Sequence, residues 1–124
     1  MSPNTSEPIA PPQTTGEAVQ RYSPQLTGAQ RRHLRGLGHH LKPLVRIGDR
    51  GIHAGLLAQV EQCLLDHELI KVRWKGASPP DRIEAARQIF TELGGMTVQI
   101  VGATLLVYRP HPEEPTIHLP KQSG

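Results

Sequence analysis

The segment "LVRIGDRGIH" (residues 44–53) contains a junction between two kinds of secondary structure. Its first four residues are typical of a short β-strand, and Gly48 and Gly51 follow, three positions apart. From about Ala54 to His67 the apolar residues recur at helical spacing. The segment therefore predicts a strand, a glycine-containing loop and a helix. The loop is either an ordinary tight turn or a place where the backbone approaches a phosphate, because glycine has no Cβ to keep a ligand away.

A basic helix is predicted before this strand, within "LTGAQRRHLRGLGHHLKP" (residues 26–43). Thr27 can cap its start, the glutamine three residues later completes a capping box, and Pro43 is expected to end it. Apolar residues at spacings of three and four form one face, namely Leu34, Leu37 and Leu41. Gly36 and Gly38 weaken a helix, so they indicate close packing or the close approach of a ligand.

After the helix that follows the loop, the sequence predicts a strand, another helix and then two more strands. "ELIKVRW" (residues 68–74) alternates strictly, with basic residues facing away from the apolar ones, and is the clearest strand. Ser78 or Asp81 can cap the next helix, which runs to about Leu93. "MTVQIV" and "TLLVYR" are joined by Gly-Ala and predict a hairpin with a type II′ turn.

The predicted order is helix, strand, helix, strand, helix, strand, strand. Strands that alternate with helices favour parallel pairing, and the final hairpin adds an antiparallel pair. We therefore predict an α/β fold, a small two-layer sandwich with a mixed four-stranded sheet and three helices.

The chain divides into three parts by composition. Residues 1–24 are rich in Pro, Thr, Ser and Gln without apolar periodicity, and we expect them to be disordered. Residues 25–110 hold every predicted element, and residues 111–124 are expected to be mostly irregular. The N-terminus resembles neither a secretory signal nor a transit peptide, and no stretch approaches the roughly 20 apolar residues of a membrane span. With a single cysteine, Cys63, the sequence favours a reducing, cytoplasmic location.

Positive charge is concentrated in one quarter of the chain. Residues 21–51 carry +6, whereas residues 1–20 carry −2 and residues 52–124 carry −1. Clustered cations attract polyanions such as RNA, although a solvated helix face is the simpler alternative. The candidate RNA-binding residues are Arg31, Arg32, Arg35, Lys42, Arg46, Gly48, Asp49, Arg50 and Gly51. Within the loop Arg50 favours contact with phosphate, and the carboxylate of Asp49 opposes it.

Other candidates for chemistry have simpler interpretations. His39 and His40 lack further metal ligands at suitable spacing and are interpreted as polar surface. Trp74 shares a face with apolar residues and is expected in the core, with stacking on a base as the alternative. Lys71 and Arg73, on the opposite face, are solvated or ligand-facing. Glu68 is interpreted as a salt-bridge or capping residue, with a buried acid as the alternative. We predict no catalytic residue, metal or cofactor.

Several of these segments together resemble one known family. The basic helix ending in Leu-Lys-Pro, the strand leading into Gly-x-x-Gly, "HELIKVRW" and "VQIVGATLLVYRP" are similar to the CRM domain (chloroplast RNA splicing and ribosome maturation), above all to its bacterial single-domain YhbY-type members. The similarity extends from about Leu26 to Pro120. Family loops usually carry Lys, Asn or Ser where this chain has Asp49.

The resemblance implies a fold like the C-terminal domain of translation initiation factor three. It also implies RNA binding without catalysis, with large-subunit ribosomal RNA or its precursor particles as the partner. By that resemblance the Gly48–Gly51 loop contacts RNA and the basic helix flanks it. We expect a monomer without a membrane or small-molecule partner. The alternative is a protein-interaction module whose basic surface binds an acidic partner.

Overall fold

The computed structural model describes residues 10–121. Within them, the chain forms four helices and four strands. In chain order these are α1 (Thr15–Arg21), α2 (Gly28–Gly38), β1 (Pro43–Arg46), α3 (Ala54–His67), β2 (Leu69–Arg73), α4 (Pro79–Leu93), β3 (Met96–Val101) and β4 (Thr104–Tyr108). None of these helices is long and apolar enough to cross a membrane.

The strands form one mixed sheet in the order β1-β2-β4-β3. β1 pairs with β2 in parallel, whereas β2 with β4 and β3 with β4 are antiparallel. Gly102 has a φ of +54° and Ala103 does not have a positive φ, as a type II′ turn requires. The α/β class, the mixed four-stranded sheet and the final hairpin are thus confirmed.

The first face of the sheet is covered by α3 and α4. Strand alternation turns Val45, Ile70 and Val72 toward this side, where they join Leu105 and Val107. The helices supply their apolar stripes, chiefly Leu56, Val60, Leu64, Ile83, Ala86 and Ile89. Ser78 caps α4 in a capping box with Asp81, as the sequence predicts. This layer forms the larger of two apolar cores.

The second face of the sheet is only partly covered, by α2 and the C-terminal tail. Leu34 of α2 packs into a core with Leu69 and Leu106 of the sheet, and Ile117 and Leu119 of the tail pack against the same cluster. α2 approaches closely because it meets the sheet through a glycine: a Cβ on Gly38 would lie 2.7 Å from both Leu106 methyl carbons. Since the sequence predicts two layers, this partial third layer is an addition.

The N-terminal region departs from expectation, because residues 15–21 form the helix α1 and do not belong to a disordered tail. Thr14 and Glu17 form a capping box, and Ala18 and Tyr22 are buried in the larger core. The Tyr22 ring lies 5.7 Å from that of Phe90. α1 makes four helices where the sequence predicts three, since so short a helix has too few apolar positions to show a period. The expected disorder of residues 1–9 lies outside the described residues.

The basic helix α2 also differs in its end and its buried face. It ends at Gly38, and Pro43 is the first residue of β1. Its buried positions are Gln30, Leu34 and Gly38, four residues apart, whereas Leu37 and Leu41 are 43% and 38% exposed. Gly38 is buried because α2 lies close to the sheet there, whereas the Gln30 amide donates to the Pro120 carbonyl of the tail at 2.9 Å. Apolar spacing reveals neither contact.

Glu68 holds the C-terminal tail against the domain. It is buried, has a φ of 65° at the end of α3, and its carboxylate accepts hydrogen bonds from the backbone N–H groups of His111, Thr116 and Ile117 and from the Thr116 hydroxyl. Burial opposes the charge, but these hydrogen bonds lower the pKa of the Glu68 carboxyl below its usual value. Glu68 is thus a buried acid, the alternative interpretation, and it is also the C-cap residue of α3, as the capping interpretation expects. No ion pair involves Glu68 within the described residues.

Candidate nucleic-acid interface

The Gly48–Gly51 loop lies at the end of the sheet where β1 and β2 finish. The Ile47 N–H donates to the Arg73 carbonyl at 2.8 Å, and the Gly51 N–H donates to the Gly48 carbonyl at 3.0 Å, which closes the loop. Gly51 has a φ of +65°, and a Cβ there would lie 3.6 Å from the Trp74 ring. Trp74 packs against the larger core, as expected, and thereby supports the loop from below.

The outer part of the loop is open. A Cβ on Gly48 would meet no described atom within 4 Å, and Asp49 and Arg50 are exposed. The start of α3 is less free, because His53 caps it and its Nδ1 accepts the Leu56 N–H at 3.3 Å. One N–H group at the start of α3 is therefore already bonded and is not available to a phosphate.

A groove opens on the second face of the sheet, beyond the end of α2. Its volume is about 770 Å³. Arg35 comes from α2, and His39 and His40 come from the turn after it. Lys71 and Arg73 come from β2. The complete lining is Arg35, Gly36, Gly38, His39, His40, Pro43, Lys71, Arg73, Gln99, Val101, Thr104 and Leu106.

Strand pairing connects the groove with the loop. Arg46 of β1 is paired with Arg73 of β2, and both point away from the larger core because their neighbours Val45 and Val72 point into it. Arg46 is exposed and leads through Ile47 into the loop. The groove, Arg46 and the loop therefore share one end of the sheet; we call this set the cationic surface.

Within residues 10–121, no ion pair joins residues of the cationic surface. Across residues 10–121 the ion pairs are Glu84–Arg87 on α4 and Glu61–Arg109, which joins α3 to the residue after β4. Apart from Asp49, the carboxylates of the described chain lie on α1, α3, α4, at Glu68 and in the tail, and none of them lines the groove. Unpaired cations around a concave surface produce a positive potential that attracts polyanions.

Eight of the nine predicted site residues fall into two groups. Arg35 lines the groove, and Arg46, Gly48, Asp49, Arg50 and Gly51 form its adjoining rim and loop. Arg32 and Lys42 are exposed beside this region in the chain without lining the groove.

Arg31 does not belong to the cationic surface. Its guanidinium donates to the Leu26 carbonyl at 2.9 Å and to the carbonyl and hydroxyl of Ser23 at 3.4 and 3.3 Å. It therefore ties α2 to the segment after α1. Arg31 and Arg35 are four residues apart, so the sequence predicts that they share one helix face. This spacing does not show which neighbours each side chain contacts.

The groove also contains four residues that the predicted site does not include, namely Lys71, Arg73, His39 and His40. The alternation of β2 places Lys71 and Arg73 opposite its apolar face, and this pattern is the signal that could identify them. The histidines, whose ring centroids lie 5.2 Å apart, had no such signal. Within the described residues, no cluster of three or more metal-ligating side chains is present.

Known proteins similar to this chain share one domain type. The sequence model of the CRS1 / YhbY (CRM) domain matches residues 26–109. A protein of Haemophilus influenzae named "RNA-binding protein" is 40% identical over 97 residues, which cover 78% of this chain and 97% of that one. A "probable RNA-binding protein" of Bacillus subtilis is 33% identical over 95 residues, 77% of this chain and 99% of that protein. The solution structure of a hypothetical protein from Staphylococcus aureus superposes with a TM-score of 0.68 at 34% identity, covering 77% of this chain and all of that one.

Proposed function

Because the chain belongs to the CRS1 / YhbY (CRM) domain family, we propose that it is a non-enzymatic protein that binds RNA through its cationic surface. The names of the relatives from Haemophilus influenzae and Bacillus subtilis support this proposal. Lys71 and Arg73 contact phosphates in the groove, and Arg46 and Arg50 extend these contacts to the loop. Gly48 lets the backbone approach the RNA, because no side chain stands between them.

One observation carries the proposal, namely that the cations of this surface have no carboxylate partner in the described chain, whereas Arg87 of α4 and Arg109 after β4 do. Arg87 and Arg109 are paired with glutamates, so they add little to the external field. Lys71 and Arg73 are held on rigid strand backbone with their charges unneutralised. Such cations release counterions from RNA when they bind, which provides affinity without sequence specificity.

Charge reversal tests the location of the surface. We expect Lys71→Glu and Arg73→Glu each to weaken binding of a fluorescein-labelled RNA hairpin by about tenfold at moderate salt. Arg87→Glu on α4 is the matched control and should bind like the wild type. Filter binding gives the affinities and circular dichroism checks the fold. Unchanged affinity in both groove variants, with the fold intact, would refute the proposed surface.

The proposed partner is large-subunit ribosomal RNA or its precursor, and the proposed location is the cytoplasm. This finer assignment is supported by the resemblance to bacterial single-domain YhbY-type proteins. Sedimentation of cell extract through a sucrose gradient tests it, with the protein detected by an epitope tag. We expect co-migration with immature large subunits that ribonuclease abolishes. Migration only at the top of the gradient would contradict a ribosomal partner while leaving RNA binding open.

A second candidate function is a protein-interaction module. Leu37, Leu41 and Leu44 are 38–46% exposed and lie in the chain beside Lys42 and Arg46, a combination that suits an acidic partner with apolar side chains. A pull-down with and without ribonuclease separates the two functions. Partners that survive digestion and are lost from a Leu44→Ser variant favour this candidate.

A further inference from the structure

A second, smaller cavity adjoins the groove and is walled by α1. Its volume is about 350 Å³, and it lies between α1, α2 and β3. Arg35, Gln99 and Val101 line both this cavity and the groove, so the two concavities lie side by side. The family match begins at residue 26, so the α1 wall lies outside the shared domain.

Arg31 gives this cavity a rigid, planar cation. Its guanidinium is held by the bonds to Ser23 and Leu26 and by the Gln20 side-chain oxygen at 3.5 Å. A guanidinium plane can stack on a nucleobase. Since Arg31 is already immobilised, stacking costs little additional side-chain entropy.

The polar groups around Arg31 suit the edge of a base. Gln20 uses its oxygen for Arg31, which leaves its Nε2 without a partner in residues 10–121, and the Gln99 amide likewise has none there. Amide side chains donate to and accept from base edges. The remaining walls include the apolar residues Val19 and Ile100, and no described carboxylate lines the cavity.

Within the described chain, none of the large aromatic side chains lines this cavity. Tyr22 and Tyr108 are 6% and 3% exposed, and Trp74 and Phe90 pack against the cores. In the lining of this cavity the planar cations are Arg31 and Arg35, and Arg31 is the one whose guanidinium is held in place by hydrogen bonds. The volume lies at the lower end of the range of roughly 300–1,000 Å³ for ligand sites, which suits a single nucleoside.

We propose that the cavity between α1, α2 and β3 is a subsite for an unpaired nucleotide of the bound RNA. It takes the base next to the strand whose phosphates lie on the cationic surface, so it rests on the proposed function. The base stacks on Arg31, its edge meets the Gln20 and Gln99 amides, and its phosphate lies toward Arg35.

Gly16→Glu tests the subsite with little risk to the fold. Gly16 lines the cavity, and a Cβ there comes no closer than 3.9 Å to a neighbouring atom, the Thr14 hydroxyl oxygen. An acidic residue in the first turn of a helix is favourable, and replacing glycine increases helix propensity. Gln59→Glu, on the exposed surface of α3, adds the same charge far from the cavity. Arg31→Lys keeps the charge and removes the plane.

The probes are two fluorescein-labelled hairpins, one blunt and one with a short unpaired extension. For the wild type we expect the extension to tighten binding. Gly16→Glu should weaken binding of the extended hairpin by about fivefold, and Arg31→Lys should also reduce the gain, while neither changes the blunt hairpin. Gln59→Glu should behave like the wild type, and thermal melts report folding.

These measurements distinguish failure of the proposed subsite from failure of the proposed RNA-binding function. An extension that adds no affinity in the wild type, or a gain that persists in folded Gly16→Glu, overturns the subsite. If Arg73→Glu still weakens both hairpins in that case, the proposed RNA-binding surface stands. If Arg73→Glu changes neither, the proposed function itself has failed.

Discussion

At the scale of single residues, Gly36 and Gly38 show how neighbours two positions apart can have opposite roles. Gly38 lies against Leu106, which is 2% exposed and cannot move aside freely, whereas a Cβ on Gly36 meets no described atom within 4 Å. We expect Gly38→Ala to lower the free energy of unfolding by about 1–3 kcal/mol through overpacking. Gly36→Ala should raise it by up to ~1 kcal/mol through helix propensity. Urea unfolding of both variants measures this, and equal effects would contradict close packing at Gly38.

Glu68 makes stability depend on pH. Its pKa is lower in the folded chain than the value of about 4.3 expected when unfolded, so its contribution is complete above that value and is lost as the pH falls through the folded pKa. Glu68→Gln should therefore cost about 1–3 kcal/mol at pH 7 and progressively less below pH 4. Denaturation at several pH values measures the difference from wild type. Glu92→Gln, at an exposed position of α4, is the control, and a pH-independent Glu68 effect would oppose this account.

At the scale of elements, α1 is attached through Tyr22. The Tyr22 ring packs on Phe90, and its carbonyl accepts the Thr97 N–H at 3.2 Å, which covers part of the outer edge of β3. We expect Tyr22→Ala to lower the free energy of unfolding by about 3 kcal/mol, since it removes a buried ring. Tyr22→Phe keeps the ring and should change little. Guanidinium unfolding compares them, and an unaffected Tyr22→Ala would mean that α1 contributes no stability.

The glycine loop contains one residue that opposes its proposed role. Asp49 is exposed at the rim of the cationic surface and repels phosphate there. Asp49→Asn should tighten binding of the labelled hairpin by about fivefold, which corresponds to removing one repulsion at about 4 Å in water. Asp66→Asn on α3 removes the same charge elsewhere and should have no effect. If both variants bind like the wild type, the phosphates do not pass close to Asp49.

At the scale of the whole molecule, the distribution of charge matters more than its sum. The net charge is only +3, yet the cations of the cationic surface share one end of the sheet, while most carboxylates of the described chain lie on other elements. Such asymmetry orients a polyanion before contact.

The salt dependence of RNA affinity measures how many of these cations contact phosphates. Lys71→Ala and Arg73→Ala should each reduce the slope of log affinity against log salt by about 0.7–0.9, the effect of one phosphate contact. Arg87→Ala, which removes a paired cation of α4, should leave the slope unchanged. Titrations of the labelled hairpin at four salt concentrations provide the slopes. Equal slopes for the three variants would indicate a diffuse attraction without a defined surface.

Local sequence determined most of the elements. The capping boxes at Thr27 and Ser78, the helix from Ala54 to His67 and the Gly-Ala hairpin lie where the sequence predicts them, because caps, periodicity and turn residues act within a few positions of each other. The alternation of β2 also separated its basic residues from the core. These features led to the fold class and to the family.

Tertiary structure alone decided which side chains meet. The sequence could not show that Arg31 bonds to Ser23 while Arg35 faces the groove, or that Glu68 receives the tail from more than 40 residues away. It also could not reveal α1, whose stability comes from burying Ala18 and Tyr22 against distant elements. Such contacts depend on how helices pack across a sheet, and residues far apart in the chain carry no local pattern that records it.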